Sequence, residues 1–178
     1  MDPHVSDTDA VRSSIGQGTN NYTPVQLARY VTTIANEGNC YNLTLINQIK
    51  NVDGRVVYES DNVPENKVDL TSSQWAVIKQ GMRQMVRDHT SSSALINQIN
   101  VEVAGKTGTA EEDTTRPDHA LFVSFAPYDN PEVSVTCVIP HGYTSGNAEE
   151  LAGMIYAYMY DPEKLDTLDI TGNNQMSD

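Results

Sequence analysis

Between Val101 and Pro140 the chain writes three strand-like stretches in quick succession, and this cluster restricts the fold more than any other feature. They run over about residues 101–110, 119–127 and 132–140. Only Tyr128-Asp129-Asn130-Pro131 separates the second from the third. A connection that short joins antiparallel neighbours, because a parallel crossover needs roughly a dozen residues or more. The charged segment Glu111–Asp118 joins the first to the second. A three-strand antiparallel meander is therefore expected. In its last strand Val133, Val135, Cys137 and Ile139 fall on one side by simple alternation.

Helical signals surround this meander. Thr23-Pro24-Val25-Gln26 reads as a helix start: Thr23 at the N-cap, Pro24 at the first helical position and Gln26 completing a capping box. Leu27, Ala28, Val31, Ile34 and Ala35 then share a face, and Gly38 ends the helix as a left-handed cap. Thr71-Ser72-Ser73-Gln74 is a second capping box, followed at helical spacing by Trp75, Ile78, Met82, Met85 and Val86, a core stripe rather than a ligand set. A last helix is expected from about Asn147 to Tyr160, with Asn147 and Glu150 as a capping pair and Leu151, Met154, Ile155 and Tyr158 as its apolar positions. Leu43–Lys50 and Arg55–Glu59 flank Asp53-Gly54 as a small hairpin. Residues 1–22 read as a surface loop, Ser60–Asp69 as a linker, and residues 161–178 as a disordered tail. The order of helix, hairpin, helix, meander and helix is an α+β pattern: an antiparallel sheet of three main strands plus a small hairpin, packed with helices.

The formal net charge is -13, from 24 acidic and 11 basic residues, and this balance repels a phosphate backbone, so nucleic acid is excluded as a partner class. The charge is spread along the chain and reads as solubility. No apolar run approaches the roughly 18 residues that span a bilayer, and Met1-Asp2-Pro3-His4 is not a signal peptide. The chain as given reads as soluble, which leaves room for its being a piece of a longer, anchored protein. Cys40 and Cys137 have no metal-ligand spacing; they read as two free thiols, with a single disulfide also compatible.

The first strand of the meander carries the chemistry. In Val103-Ala104-Gly105-Lys106-Thr107-Gly108-Thr109-Ala110-Glu111, alternation puts Lys106 and Gly108 on one face and Thr107 and Thr109 on the other. A glycine weakens a strand, so Gly108 needs a reason, and close approach of a ligand backbone is one. An ammonium and two hydroxyls suit a carboxylate. A backbone N–H just after the glycine suits an oxyanion hole. The competing reading of Lys106 is an edge lysine that blocks aggregation.

Lys-Thr-Gly is also a motif of class A β-lactamases and penicillin-binding proteins. With Ser14-Ile15-Gly16-Gln17-Gly18, Thr23–Ala28, Ile34-Ala35-Asn36-Glu37-Gly38, Gly81-Met82, Ala104–Glu111 and His119–Pro127 in the same order, the chain resembles the transpeptidase domain of class B penicillin-binding proteins over roughly residues 10 to 160. The resemblance implies a D,D-transpeptidase parent that cross-links peptidoglycan stem peptides ending in D-Ala-D-Ala, through a serine that β-lactams also acylate. It implies that Lys106 assists electrostatically, that Thr107 and Thr109 bind the substrate carboxylate beside Gly108, and that the Thr109 N–H supplies half of the oxyanion hole. It implies no cofactor and no metal. It further implies a membrane-anchored parent with this domain outside the cytoplasmic membrane, working with other cell-wall synthesis proteins.

The family needs Ser-x-x-Lys, nucleophile and base, and no serine here has a lysine three residues on. It needs Ser-x-Asn ahead of Ser14, and none is there; Ser60-Asp61-Asn62 and Ser145-Gly146-Asn147 imitate it but read as turn and cap residues. Without a Gly-x-Ser-x-Gly elbow, His119 and His141 do not suggest a Ser-His enzyme, and His119 reads as a packing or hydrogen-bonding residue that opens a strand. Residues 1–160 are thus expected to be the C-terminal half of a transpeptidase domain, inactive alone. Its strand 132–140, deprived of the neighbour the family supplies, is expected to form an exposed edge made sticky by Val133, Val135, Cys137 and Ile139, and to drive self-association. The rival is a complete, non-catalytic module that binds peptide by strand addition to the lysine strand. The polar lead-in Asp2–Arg12 favours a piece cut from a longer chain.

Overall fold

A computed structural model describes residues 7–13, 21–89, 93–112 and 114–167. The meander is present as β5 (Ala104–Ala110), β6 (His119–Ala126) and β7 (Val133–Ile139), in the order β5-β6-β7. Pairing runs without a shift from Ala104↔Phe125 to Ala110↔His119 and from Ala120↔Ile139 to Ala126↔Val133. The alternation of each strand therefore adds to that of its neighbours, and the sheet has two apolar faces. On one, Ala120, Phe122, Val135 and Cys137 pack with Ala148, Ala152, Tyr156 and Ala157 of α4 (Ser145–Tyr160). On the other, Ala104 and Phe125 pack with Val31 and Ile34 of α2 (Pro24–Ala35) and with Trp75 and Met82 of α3 (Ser72–Asp88). Helices thus cover the sheet on both sides. The α+β expectation holds.

The two capping boxes form as expected. Thr23 Oγ1 accepts from Gln26 N while Gln26 Oε1 accepts from Thr23 N at 2.8 Å, and Thr71 and Gln74 repeat the arrangement. The end of α2 differs in detail. Glu37 (φ 52°) takes the first left-handed position and Gly38 (φ 94°) the next. Glu37 N donates to Ile34 O and Gly38 N to Thr33 O, the two bonds of a Schellman motif. Gly38 is required for a second reason: a Cβ there would lie 2.3 Å from Val68 O. That contact belongs to a two-stranded pairing of β1 (Asn39–Cys40) with β4 (Asn66–Lys67), which the supposed linker conceals.

The hairpin at Asp53-Gly54 is present as β2 (Gln48–Lys50) and β3 (Val56–Glu59). Its first strand is shorter than expected because Thr44 Oγ1 binds Ile46 N in a local turn. Within residues 1–22, Asp7–Ser13 forms helix α1 rather than loop. The tail is structured at its start: Pro162–Thr167 is a 3₁₀ turn, and Leu165 packs on the core. Both cysteines are free thiols.

The last helix departs most from expectation. It begins at Ser145 with Thr144 as N-cap, and Asn147 is no cap; its Nδ2 donates to Gly142 O at 2.8 Å. Leu151, Ile155 and Tyr158 point outward, Tyr158 being 72% exposed. The face turned to the sheet is instead Ala148, Glu149, Ala152, Gly153, Tyr156 and Ala157. Small residues let the helix axis come close to the strands, and Gly153 has so little room that a Cβ would sit 3.1 Å from Ile96. The edge expectation is corrected in part as well. Among the described residues no strand pairs with the outer side of β7, so its backbone edge is open. Val135 and Cys137 are nevertheless buried beneath α4, so the alternating apolar side chains serve the core rather than the edge.

Glu149 is fully buried on that close face. Ser93 Oγ donates to Glu149 Oε1, and Glu149 Oε2 lies 2.8 Å from His89 Nδ1. The carboxylate thus binds the segment after α3 to α4. Removing one partner from a buried polar pair costs about 3 kcal/mol, whereas surface changes stay within about 0.5 kcal/mol. Glu149→Ala is expected to lower the urea midpoint accordingly, and Glu150→Ala, on the exposed side, to leave it nearly unchanged. Equal effects would remove the structural role assigned to Glu149.

Candidate functional site

β5 lies at the margin of the sheet, and Lys106, Thr107, Gly108 and Thr109 sit together on it. Their backbone orientation follows from the ladder. Glu132 N donates to Ala126 O, so the even-numbered residues of β6 turn their amides toward β7 and the odd ones toward β5. By the same alternation the N–H and C=O groups of Ala104, Lys106 and Gly108 turn toward β6, and those of Gly105, Thr107 and Thr109 turn to the side away from β6. Lys106 Nζ donates to Thr107 O at 2.8 Å, in keeping with that orientation.

The side chains divide as alternation requires. Lys106 and Gly108 share the face of Val123 and Leu121, their cross-strand partners. Thr107 and Thr109 stand on the face of Phe122 and Ala120. Lys106 and Thr109 are exposed, and Thr107 and Gly108 are half-buried. The strand's two glycines answer to different demands. A Cβ on Gly105 would lie 2.5 Å from the ring of Phe122 and 3.1 Å from Ser124, so the core itself excludes a side chain there. A Cβ on Gly108 would meet only Leu121 Cβ, at an ordinary 3.4 Å. Nothing in the fold requires glycine at 108.

The imitators of Ser-x-Asn are where turn chemistry puts them. Ser60 N donates to Asn47 O at the mouth of the hairpin, and Ser145 opens α4 behind its cap. The Ser14–Gly18 stretch lies outside the described residues. A cleft of about 490 Å³ lined by Glu37, Lys67, Trp75, Lys79 and Asp129 sits at the opposite end of the sheet and includes no β5 residue. Among the described residues no cluster of three or more His, Cys, Asp or Glu could hold a metal.

Sequence reasoning gave His119 a packing or hydrogen-bonding role at the start of β6 and missed its partners. The imidazole faces Glu112 Oε2 at 3.2 Å and accepts from His141 N at 3.0 Å. The His119 and His141 rings are 4.8 Å apart. No local pattern announces this, since the contacts join residues 7 and 22 positions apart.

The family pattern described as the penicillin binding protein transpeptidase domain matches residues 3–157. The chain belongs to the penicillin-binding protein transpeptidase family. It is 35% identical over 132 residues to penicillin-binding protein 2B of Streptococcus pneumoniae, covering 68% of this chain and 19% of that one. It is 28% identical over 166 residues to the peptidoglycan D,D-transpeptidase MrdA of Acinetobacter baumannii, covering 84% and 24%. The chain thus spans about a fifth to a quarter of these relatives. Among solved structures, penicillin-binding protein 2B of S. pneumoniae strain R6 superposes with a TM-score of 0.74 at 31% identity, covering 89% of this chain and 28% of that one. The imipenem acyl-enzyme complex of penicillin-binding protein A from M. tuberculosis superposes with a TM-score of 0.72 at 26% identity, covering 83% and 33%. The three-strand sheet with its flanking helices is therefore a partial penicillin-binding protein transpeptidase fold.

The contrast between the two glycines is measurable. Gly105→Ala overpacks the core and is expected to cost about 1–3 kcal/mol in thermal unfolding. Gly108→Ala is expected to stay within about 0.5 kcal/mol of the parent chain. A Gly108→Ala variant as damaged as Gly105→Ala would return Gly108 to the fold.

Proposed function

We propose that this chain is the substrate-binding portion of a peptidoglycan D,D-transpeptidase, with the β5 edge as the seat of the stem peptide. The observation that supports it most is the pairing of an outward-facing backbone at Thr107 and Thr109 with a glycine at 108 that the fold does not need. A peptide ending in D-Ala-D-Ala lies along that edge and adds to it as a strand would. Its terminal carboxylate is taken by the Thr107 and Thr109 hydroxyls, in the positive field of Lys106. The Thr109 N–H faces the carbonyl under attack and stabilises the oxyanion. In the full reaction a serine oxygen bonds to the penultimate carbonyl carbon, the peptide bond breaks, and D-alanine leaves with the proton on its amine. An acceptor amine then attacks the ester, forming the cross-link and returning the proton to the serine.

This chain carries no Ser-x-x-Lys and so contributes neither nucleophile nor base. It is catalytically incomplete by itself, and β-lactams do not acylate it. In the parent the domain stands outside the cytoplasmic membrane on an anchor, beside other cell-wall synthesis proteins. No helix among the described residues is long and apolar enough to cross a membrane. The open backbone edge of β7 is an unsatisfied template, and a second copy of the chain pairs with it.

Native and denaturing mass spectrometry after incubation with excess penicillin test both statements. Unchanged intact mass, together with a dimer under native conditions, is expected. A stoichiometric adduct, mapped to Ser60, Ser145 or any other serine, would overturn the catalytic assignment. A strict monomer at high concentration would overturn the edge pairing.

A further inference from the structure

We propose that His119 is a positioning residue whose neutral form bolts two segments to the far end of the substrate strand, and whose protonation loosens one of them. The inference rests on the reading of β5 above only for its functional consequence; the bolt itself stands on geometry.

His119 pairs across the ladder with Ala110, one residue beyond Thr109, on the face shared by Lys106 and Gly108. Its Nδ1 accepts the backbone N–H of His141 at 3.0 Å. That bond fixes the tautomer: Nδ1 carries a lone pair and Nε2 carries the proton. Nε2–H then donates to Glu112 Oε2 at 3.2 Å. One ring holds Glu112, just after β5, and His141, just after β7.

The turn that follows β7 is held under strain. His141 (φ 55°) and Tyr143 (φ 65°) are both in the left-handed region, which side chains other than glycine's adopt at a cost. Between them, Gly142 presses on β6 so closely that a Cβ would lie 2.8 Å from Ala120 Cβ. Ala120 is the cross-strand partner of Thr109. Two further bonds tie the turn to the residues preceding β6: Tyr143 N to Asp118 O at 3.1 Å, and His141 Nδ1 to Pro117 O at 3.1 Å. The turn thus borders the threonine face of the site, and the His119–Glu112 contact borders the lysine face.

Protonation of His119 places a second N–H where His141 N needs an acceptor. Two donors then face each other, and the strained turn loses the backbone bond of its first residue, while His141 Nδ1 to Pro117 O and Tyr143 N to Asp118 O remain. Among the described residues, the titratable and charged groups around the ring are Glu112 and the ring's neighbour in sequence, Asp118, on the connection before β6 and His141 on the turn. β5 contributes uncharged Ala110 at this level, with Lys106 two pairs further along the same face. Glu112 remains a partner of the protonated ring, so only the turn is loosened, at the His141 amide.

The experiment uses the ¹⁵N-labelled chain without ligand. Ring-nitrogen NMR of the neutral ring is expected to show His119 protonated on Nε2 and bare on Nδ1. On acidification, the His141 and Tyr143 amides should shift with the same midpoint as the His119 ring, and the protection of the His141 amide, taken against its intrinsic exchange rate at each pH, should fall roughly five- to tenfold once the bond is lost. His119→Asn keeps an acceptor at the δ position and is expected to preserve the protection of the His141 amide while abolishing the pH dependence of that protection. His119→Gln keeps only the ε donor and is expected to lose that protection at every pH. An Nδ1–H tautomer, or a His141 amide that ignores the His119 titration, overturns the proposal. Because no ligand is present, its failure is separate from any failure of β5 to bind peptide.

Discussion

The unshifted register of β6 between β5 and β7 is the constraint on which the rest of the structure depends. Among the described residues, β6 is the strand of this sheet with a ladder on both edges, and helices cover both of its faces. Phe122 and Phe125, both at 0% exposure, anchor opposite faces of the same strand. A slip of one residue would exchange those faces, sending Phe122 toward α2 and α3 and Phe125 toward α4. It would also exchange the edges along β5, turning the amides of Thr107 and Thr109 inward. The backbone orientation along β5 is therefore a consequence of core packing in the neighbouring strand. Polar bonds reinforce the same register: buried Ser124 hydrogen-bonds Val135 O and the hydroxyl of Tyr156, tying β6 to β7 and α4.

The site asks something different of the chain. Gly105 is a packing glycine, demanded by the Phe122 ring, whereas Gly108 lies where the fold would accept a side chain. Such a position is costly to keep bare unless something outside the chain needs the space. The strained His141 and Tyr143 at the other margin follow the same logic, since local strain persists only where surrounding contacts over-determine it. Gly142 is pressed against Ala120, the cross-strand partner of Thr109, so the turn abuts the end of β5.

Legibility followed the range of the interaction. Both capping boxes were readable because their bonds close over three residues. The meander was readable because a four-residue turn leaves one pairing open to it, and the placing of Lys106–Thr109 on one strand because the four residues are contiguous. The β1–β4 pairing was hidden, as it joins residues 39–40 to 66–67 without an apolar signal on either side. The orientation of α4 was misread because bulky residues were assigned to the core, while the sheet selected the small ones that permit close approach. Glu149 and the His119 contacts were invisible for a related reason: a buried polar group is defined by partners distant in sequence, 56 and 60 residues away for Glu149.

The most direct measurement is an NMR titration of the ¹⁵N-labelled chain with a short N-acylated peptide ending in D-Ala-D-Ala. Saturable shifts centred on the amides of Thr107, Gly108 and Thr109, lost when the terminal carboxylate is amidated, are the result predicted for β5 as the substrate seat. Shifts confined to the cleft around Trp75 and Lys79, or spread without saturation, would contradict it.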